Sequence, residues 1–308
     1  MRNLTLKQLR YFEALAQHGH FGRAAEASAV SQPALSVQIK ELEASLGAKL
    51  FERGAKQVRL TPFGEELALR VRPILRSVDE LADLARATQE GLTGRLRLGV
   101  IPTIAPYLLP TFIGRLSLAH PDIDLHVRET LTPRLIEELR QGRLDAAIVA
   151  LPISEPSLTE VALFEERFVL VRPPEDAERP VPDGETLGQM KLLLLEEGHC
   201  FRDQALSFCN LRSNLPREGL DGSSLSTLVQ MVGAGIGVTL IPEMALTVET
   251  RSATVSIARL RPPQPTRTIG MVWRNTNPLR EQFVKVAEVV RQSGAALRAA
   301  RRVTGDPA

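Results

Sequence analysis

Phe21-Gly22-Arg23-Ala24-Ala25-Glu26-Ala27, followed after three residues by Ser31-Gln32-Pro33-Ala34-Leu35-Ser36, is the stretch on which the reading of this chain turns. The paired alanines let one short helix approach another closely, and Val30 and Ser31 make the turn between them. Pro33 falls in the first turn of the next helix, where its missing N–H costs nothing. Upstream, Leu6, Leu9, Phe12, Leu15 and Ala16 give the inner face of a first helix that Gly19 ends. Downstream, Leu35, Ile39, Leu42 and Leu46 repeat at helical spacing and form a buried stripe. Gln32, Pro33, Ser36 and Lys40 are left on or near the outer face. The pattern predicts a helix-turn-helix, and that outer face is what a recognition helix needs at its N-terminal end. Gln32 can pair bidentately with adenine, and Ser31 and Ser36 can serve bases or phosphates. Leu50-Phe51-Glu52-Arg53 and Gln57-Val58-Arg59-Leu60-Thr61 flank a turn at Gly54-Ala55. They predict a winged hairpin, with Arg53 and Lys56 placed to meet the DNA backbone or minor groove.

The charge distribution agrees. Residues 1–60 carry nine Lys/Arg against five Glu, a net +4 within a chain whose total is +2 over 308 residues. The basic end is the one carrying the helix-turn-helix. No apolar run is long enough to span a membrane, and Met1–Arg10 lacks the apolar core of a secretory signal, so the expected compartment is cytoplasmic. An exported solute-binding protein, which would share a two-lobed architecture, is disfavoured for the same reason.

Residues 62–90 hold a near-heptad stripe through Phe63, Leu67, Val71, Leu75, Val78, Leu81 and Leu84. This predicts a long linker helix that dimerises by its apolar edge, with a bend or break at Pro73. Beyond Gly91 and Gly94, strands and helices alternate. Strands are expected at 95–101, 123–129, 144–151, 168–172, 192–195, 238–241 and 268–273. Helices are expected at 107–119, 133–141, 224–233 and 279–302. Alternation implies parallel sheets covered by helices. The length of 91–308 suits two α/β lobes: lobe I from about 91–165 plus 268–308, and lobe II from about 166–267.

The second informative stretch is Gly198-His199-Cys200-Phe201-Arg202-Asp203-Gln204-Ala205-Leu206-Ser207-Phe208-Cys209. A strand ends before Gly198 and a short helix follows. Cys200 then lies at a helix N-terminus, where unpaired amides and the helix dipole favour a thiolate. His199 and Arg202 can add positive charge or donate hydrogen bonds. Nine residues of helix separate the two cysteines by about 13.5 Å of rise and place them on roughly opposite faces. A disulfide needs Cα atoms about 4.4–6.8 Å apart, so helix and disulfide could not coexist. Free cysteines are otherwise small buried hydrophobes, and composition alone does not choose. The spacing fits neither a thioredoxin motif nor structural zinc. His18, His20, His120 and His126 are scattered and form no ligand set, so no metal and no cofactor are expected.

These residues carry a resemblance. Phe21 to Glu26, Val30 to Ser36, Leu42-Glu43, Leu46-Gly47, Leu50 to Arg53 and Leu60-Thr61-Pro62-Phe63-Gly64 resemble the LysR-type transcription regulators across the whole chain. The resemblance implies a winged helix-turn-helix (1–61), a linker and dimerisation helix (62–90) and a regulatory domain (91–308). The fold class is an α/β effector domain of two Rossmann-like, periplasmic-binding-protein-like lobes behind an all-α DNA reader. It also implies base contacts from the positions matching Gln32, Pro33, Ser36 and Val37, although a basic residue is common where Val37 stands. Gln38 is counted with this DNA-facing set.

The stretch from Gly198 to Cys209 is similar to the peroxide-sensing OxyR branch of that family. This implies a peroxidatic Cys200 resolved by Cys209 through a reversible disulfide. The same likeness suggests a peroxide pocket of Thr103, Thr132, His199, Arg202 and Arg267. Peroxide is small and uncharged, so O–O cleavage needs donors for the leaving hydroxide. Taken singly, Thr103 and Thr132 read equally well as helix N-caps and Arg267 as a surface ion pair. The expected partners are double-stranded DNA, hydrogen peroxide, a homotetramer built as a dimer of dimers, RNA polymerase and a thiol reductant system. A regulator of this kind is not an enzyme. A LysR-type regulator that binds a small metabolite between its lobes, with incidental cysteines, is the alternative. A thiol peroxidase with an N-terminal interaction module is a further one.

Overall fold

The computed structural model describes residues 4–53, 58–87, 92–209, 211 and 221–303. The chain divides into two compact units, Met1–Arg86 and Ala87–Ala308.

In the first unit α1 (Leu6–His18), α2 (Phe21–Ala27) and α3 (Gln32–Leu46) precede an antiparallel pair, β1 (Phe51–Arg53) and β2 (Val58–Leu60). The long α4 (Pro62–Ala87) follows. The helix ends are written in local chemistry. Thr5 and Gln8 cap α1 reciprocally, His20 Nδ1 accepts the Gly22 N–H at 3.0 Å, and Ser31 caps α3 by accepting from Ala34. Gly19 and Gly47 take left-handed conformations that end α1 and α3. Leu9, Phe12, Leu15, Ala24, Ala25, Leu35, Ile39, Leu42 and Phe51 form one core.

Two expectations for α4 change. The helix runs through Pro73 without interruption, because proline removes one backbone donor while Val71 and Leu75 on either side pack on the core. The first half of its apolar stripe is also spoken for: Val71 is buried, and Leu67 and Leu75 pack beside it in their own domain. Ion pairs from Arg72 to Glu13 (2.9 Å) and from Arg10 to Asp79 (2.8 Å) fasten α4 to α1. The apolar residues left exposed are Leu69, Ile74, Leu81 and Leu84, together with Phe63.

The second unit begins with β3 (Gly94–Val100), α5 (Ala105–Ala119), β4 (Ile123–Glu129), α6 (Thr132–Arg140), β5 (Ala146–Leu151) and β6 (Leu158–Arg172). It continues with α7 (Gly184–Gln189), β7 (Leu192–Leu195), α8 (Cys200–Phe208), β8 (Asp221–Gly222), α9 (Leu225–Gly233) and β9 (Val238–Pro242). It closes with α10 (Leu246–Glu249), β10 (Ser256–Arg259), β11 (Thr266–Arg274) and α11 (Arg280–Val303). Among the described residues the strands run in the order β4-β3-β5-β11-β6-β9-β7-β8, with β10 also on β6. No described helix is long and apolar enough to cross a membrane.

The sheets are mixed rather than all parallel. β3 runs parallel to β4 and β5, and β7 parallel to β8 and β9, but β11 is antiparallel to both β5 and β6. The alternating pattern misses this because β11 returns from the second lobe and inserts between β5 and β6. β6 also starts ten residues before the expected Phe168. Its first part, Leu158–Arg167, pairs with β11, and Phe168–Val171 pairs with β9. One strand therefore serves both lobes, and the residues around its change of partner lie where the lobes meet.

Candidate functional site

On the first unit, α3 presents Gln32, Pro33, Val37 and Lys40 as exposed side chains, with Ser36 and Gln38 half-buried. Leu35, Ile39 and Leu42 point into the core on the other side. Two of the sequence-predicted contacts are locally engaged. The Ser31 hydroxyl caps its own helix, and Gln38 Nε2 donates to Glu41 at 2.8 Å. Gln32 and Lys40 remain as polar groups on the outer face. Arg53 ends β1, but its side chain and Lys56 lie outside the described residues. Behind α3, buried Glu43 braces the wing. Its Oε1 accepts from Leu50 N (2.9 Å) and Phe51 N (3.4 Å), and its Oε2 from Lys49 Nζ (2.9 Å). Burial opposes ionisation of Glu43, yet these donors outweigh it and hold its carboxyl below the ordinary value.

On the second unit, Cys200 is the first residue of α8 and half-buried, while Cys209 caps its far end and is buried. Neither is joined in a disulfide. The helix thus stands between the two sulfurs. Phe201, one residue on, is clamped between Phe168 (ring centroids 4.7 Å apart) and the Arg267 guanidinium (5.3 Å from its ring centre).

Arg267 is the hub. Its side chain is fully buried. It donates from Nη1 to Thr103 Oγ1 (2.8 Å), from Nη2 to the Thr103 carbonyl (3.0 Å) and from Nε to Glu166 (2.8 Å). The other Glu166 oxygen accepts the Met244 N–H at 2.8 Å. One cation therefore joins the end of β3, the middle of β6 and the start of α8. The surface ion pair that sequence allows for Arg267 is replaced by a buried one. The threonines are not N-caps either: Ile104 and Leu131 hold those places, without side-chain bonds. Thr132 Oγ1 is buried with no hydrogen-bond partner. Its helix start lies against the loop before Cys200, since a Cβ on Gly198 would come within 3.0 Å of Leu131.

Two expected roles change. Arg202 turns to the strand ends, donating to the Leu195 carbonyl (2.7 Å) and Asp221 (2.8 Å). His199 is buried, and that burial pushes its pKa below the ordinary imidazole value despite the opposing pull of Glu196. It therefore offers a neutral imidazole rather than a positive charge. A further network crosses between the lobes: the buried Tyr107 hydroxyl on α5 and the Ser226 hydroxyl on the exposed side of α9 both donate to Glu249 on α10 at 2.6 Å. Burial and the Glu249 carboxylate push the Tyr107 phenol well above its usual range.

Residues 6–65 match the model of the "Bacterial regulatory helix-turn-helix protein, lysR family", and residues 89–295 match the "LysR substrate binding domain". A "Probable hydrogen peroxide-inducible genes activator" of Streptomyces viridosporus is 42% identical over 297 residues, 95% of each chain. A full-length OxyR variant from Pseudomonas aeruginosa superimposes with TM-score 0.75 at 38% identity, covering 94% of this chain and 95% of that one. The chain belongs to the LysR family, in its OxyR branch. An H2O2-bound OxyR variant from Corynebacterium glutamicum is a further structural likeness, with TM-score 0.69 and 33% identity over 99% of this chain and 97% of that one. As a LysR-family protein the chain is a DNA-binding transcription regulator, with a LysR substrate-binding-type domain behind its reader.

Sequence reasoning missed Glu166, Phe201 as a ring contact, and the Tyr107–Glu249 pair. A signal for Glu166 exists in the strand alternation, since it shares the inward face of β6 with Phe168. The charged run Glu165-Glu166-Arg167 hides it, because burial of a carboxylate is visible only once Arg267 is placed beside it.

Proposed function

We propose that this chain is a hydrogen-peroxide-sensing transcription regulator switched by a reversible Cys200–Cys209 disulfide. The observation that carries the reading is the placing of Cys200 and Cys209 at opposite ends of one short helix, whose first turn is tied to the buried Arg267 hub. The relative described as a probable activator of hydrogen-peroxide-inducible genes and the peroxide-bound structural likeness support the choice of oxidant.

The Cys200 sulfur attacks one peroxide oxygen, the O–O bond breaks, and the departing hydroxide takes a proton and leaves as water. Cys200 becomes a sulfenic acid. The Cys209 sulfur then attacks the sulfenic sulfur, and its thiol proton leaves with the displaced hydroxyl as a second water. Two thiols lose two electrons and peroxide gains them. Arg267, the Thr103 and Thr132 hydroxyls and neutral His199 are the groups proposed to orient peroxide and stabilise the leaving hydroxide. Arg202, held by Leu195 and Asp221, supports the α8 end of the site instead.

Because α8 separates the sulfurs by about 13.5 Å of helical rise, closing the disulfide unwinds it. The loss of α8 contacts at Phe201 and at its far end alters lobe packing, and so the spacing of paired DNA readers. The oxidised form acts stoichiometrically and is reset by a cytoplasmic thiol reductant. The working assembly is a homotetramer, a dimer of dimers, that presents its readers to double-stranded promoter DNA and contacts RNA polymerase. The exposed α4 residues Leu69, Ile74, Leu81 and Leu84 are the proposed dimer edge.

The test is mass spectrometry of the chain before and after sub-stoichiometric peroxide, alongside DNA footprints. A Cys200–Cys209 peptide should appear at the doses that alter the footprint, and Cys200→Ser should abolish both. A Cys200→Ser protein whose footprint still responds to peroxide would sink the proposal.

A further inference from the structure

The short helix α7 lies against the far end of α8. Asp183 fixes its start by accepting the Thr186 N–H at 2.8 Å. Its two glycines, Gly184 and Gly188, are four residues apart and so share one face. Both meet the backbone of the residues that carry Cys209. A Cβ at Gly184 would stand 2.4 Å from the Phe208 carbonyl oxygen. One at Gly188 would stand 3.0 Å from the Cys209 carbonyl oxygen and 3.3 Å from Leu211 Cγ. The nearest atom to each glycine is backbone, which cannot swing aside like the tip of a long side chain. On the other side of the contact, the Cys209 N–H donates to Ala205 (3.2 Å) and the Leu211 N–H to Leu206 (3.0 Å). Cys209 itself is only 2% exposed.

We infer that the glycine face of α7 is the seat that retains Cys209 in the dithiol state, and that Gly184 and Gly188 are positioning residues for the resolving thiol. The inference rests on the Cys200–Cys209 reading given above. For the two sulfurs to bond, their Cα atoms must come within about 4.4–6.8 Å; the movement inferred is at the far end, with the Phe208 and Cys209 carbonyls leaving α7. A contact made only in the dithiol form stabilises that form alone, and weakening it moves the equilibrium towards the disulfide. The seat therefore sets how readily the switch closes and how hard it is to reopen. A purely structural glycine would lower the stability of both forms alike.

The experiment uses the full-length chain, Gly184→Ala, Gly188→Ala and a control, Gly294→Ala. The three atoms nearest the control methyl all belong to the Phe164 ring, the closest at 2.5 Å, and none to α8. Each protein is equilibrated in glutathione buffers, where the disulfide and two glutathione thiols exchange with the dithiol and glutathione disulfide. The dithiol fraction is read by alkylation and mass spectrometry. Gly184→Ala should shift the equilibrium about tenfold towards the disulfide, which is about 30 mV more negative for a two-electron couple. Gly188→Ala should shift it the same way by less, and Gly294→Ala should leave it in place although its thermal midpoint falls. After a peroxide pulse, less Cys200 sulfenic acid should be trapped in Gly184→Ala, because closure competes better. If Gly184→Ala does not fold, the milder Gly188→Ala carries the test. A wild-type disulfide whose potential and closure rate are unchanged in the glycine variants overturns the inference. A wild-type chain that never forms the disulfide overturns the redox reading beneath it, and the inference with it.

Discussion

Replacing Glu166 with Ala should destabilise the sensor more than its single position on β6 would suggest. The carboxylate accepts from the Arg267 guanidinium at 2.8 Å and from the Met244 N–H at 2.8 Å. Arg267 is fully buried, so water cannot take the place of the lost partner. Breaking a buried pair from one side leaves an uncompensated charge and costs about 3–5 kcal/mol. Replacing the pair together, as Glu166→Ala with Arg267→Met, removes that charge. The double variant should then lose less than Glu166→Ala alone, about 1–3 kcal/mol, mainly from the Met244 N–H and the missing contacts with Thr103. The assay is urea unfolding of the full chain followed by fluorescence of Trp273. That residue is the single tryptophan, it is buried, and it lies on β11, the strand that carries Arg267. At about 3 kcal/mol per molar urea, the single variant should move the midpoint down by roughly 1–2 M. Simple addition of the two single losses in the double variant, to within about 0.5 kcal/mol, would show that the residues do not act as a coupled pair and would refute the reasoning.

Three further outcomes are expected. The Glu43 carboxyl is held below its ordinary value by Leu50, Lys49 and Phe51. Its contribution is present above the ordinary value near 4.5 and lost as pH falls through the lowered one. Glu43→Ala should therefore cost about 1–3 kcal/mol at pH 7 and flatten the acid slope of reader unfolding, followed by circular dichroism. Gln32→Ala should weaken binding to a preferred operator by about 1–3 kcal/mol while hardly changing non-specific binding, measured by competition titration at fixed salt. Thr132→Val should leave the thermal midpoint unchanged or slightly raised, because it removes a buried hydroxyl with no partner. It should also slow Cys200 oxidation by peroxide in stopped flow, and an unaltered rate would remove Thr132 from the pocket.

The reader was legible because its chemistry is local. Pro33 and Gly19 act on residues within one or two turns, so their roles are read along the chain; Ser31 and Gly47, which cap α3, act just as locally, although the sequence analysis assigns them no capping role. The start of α8 at Cys200 was legible for the same reason. What escaped was set by residues far apart in sequence. Glu166 and Arg267 look like charges on a loop or a surface until β11 is inserted beside β6. The uninterrupted helix at Pro73 depends on packing of Val71 and Leu75 that no propensity scale contains. His199 reads as a cation in sequence and is pushed towards the neutral form only by burial. The wrong expectation of all-parallel sheets has one origin: alternation reports the order of elements and not the end of the sheet at which a returning strand enters.

The same distinction bears on how the proposed switch is powered. α8 spans only Cys200–Phe208, well under the roughly 12–15 residues at which an isolated helix becomes even marginal in water. Its existence therefore rests on tertiary anchors. Phe201 is held between Phe168 and Arg267, Ala205 and Leu206 are buried, and the Phe208 and Cys209 carbonyls lie against the α7 glycines. Withdrawing any one of these removes support that helix propensity cannot replace. In the proposed switch a bond between Cys200 and Cys209 withdraws the last of them and strains the first. The free energy separating the two states thus resides in a few contacts at the helix ends rather than along the helix. Substitutions at Gly184, Gly188 or Glu166 should retune the sensor, whereas exposed positions of α8 such as Asp203 and Ser207 should scarcely matter.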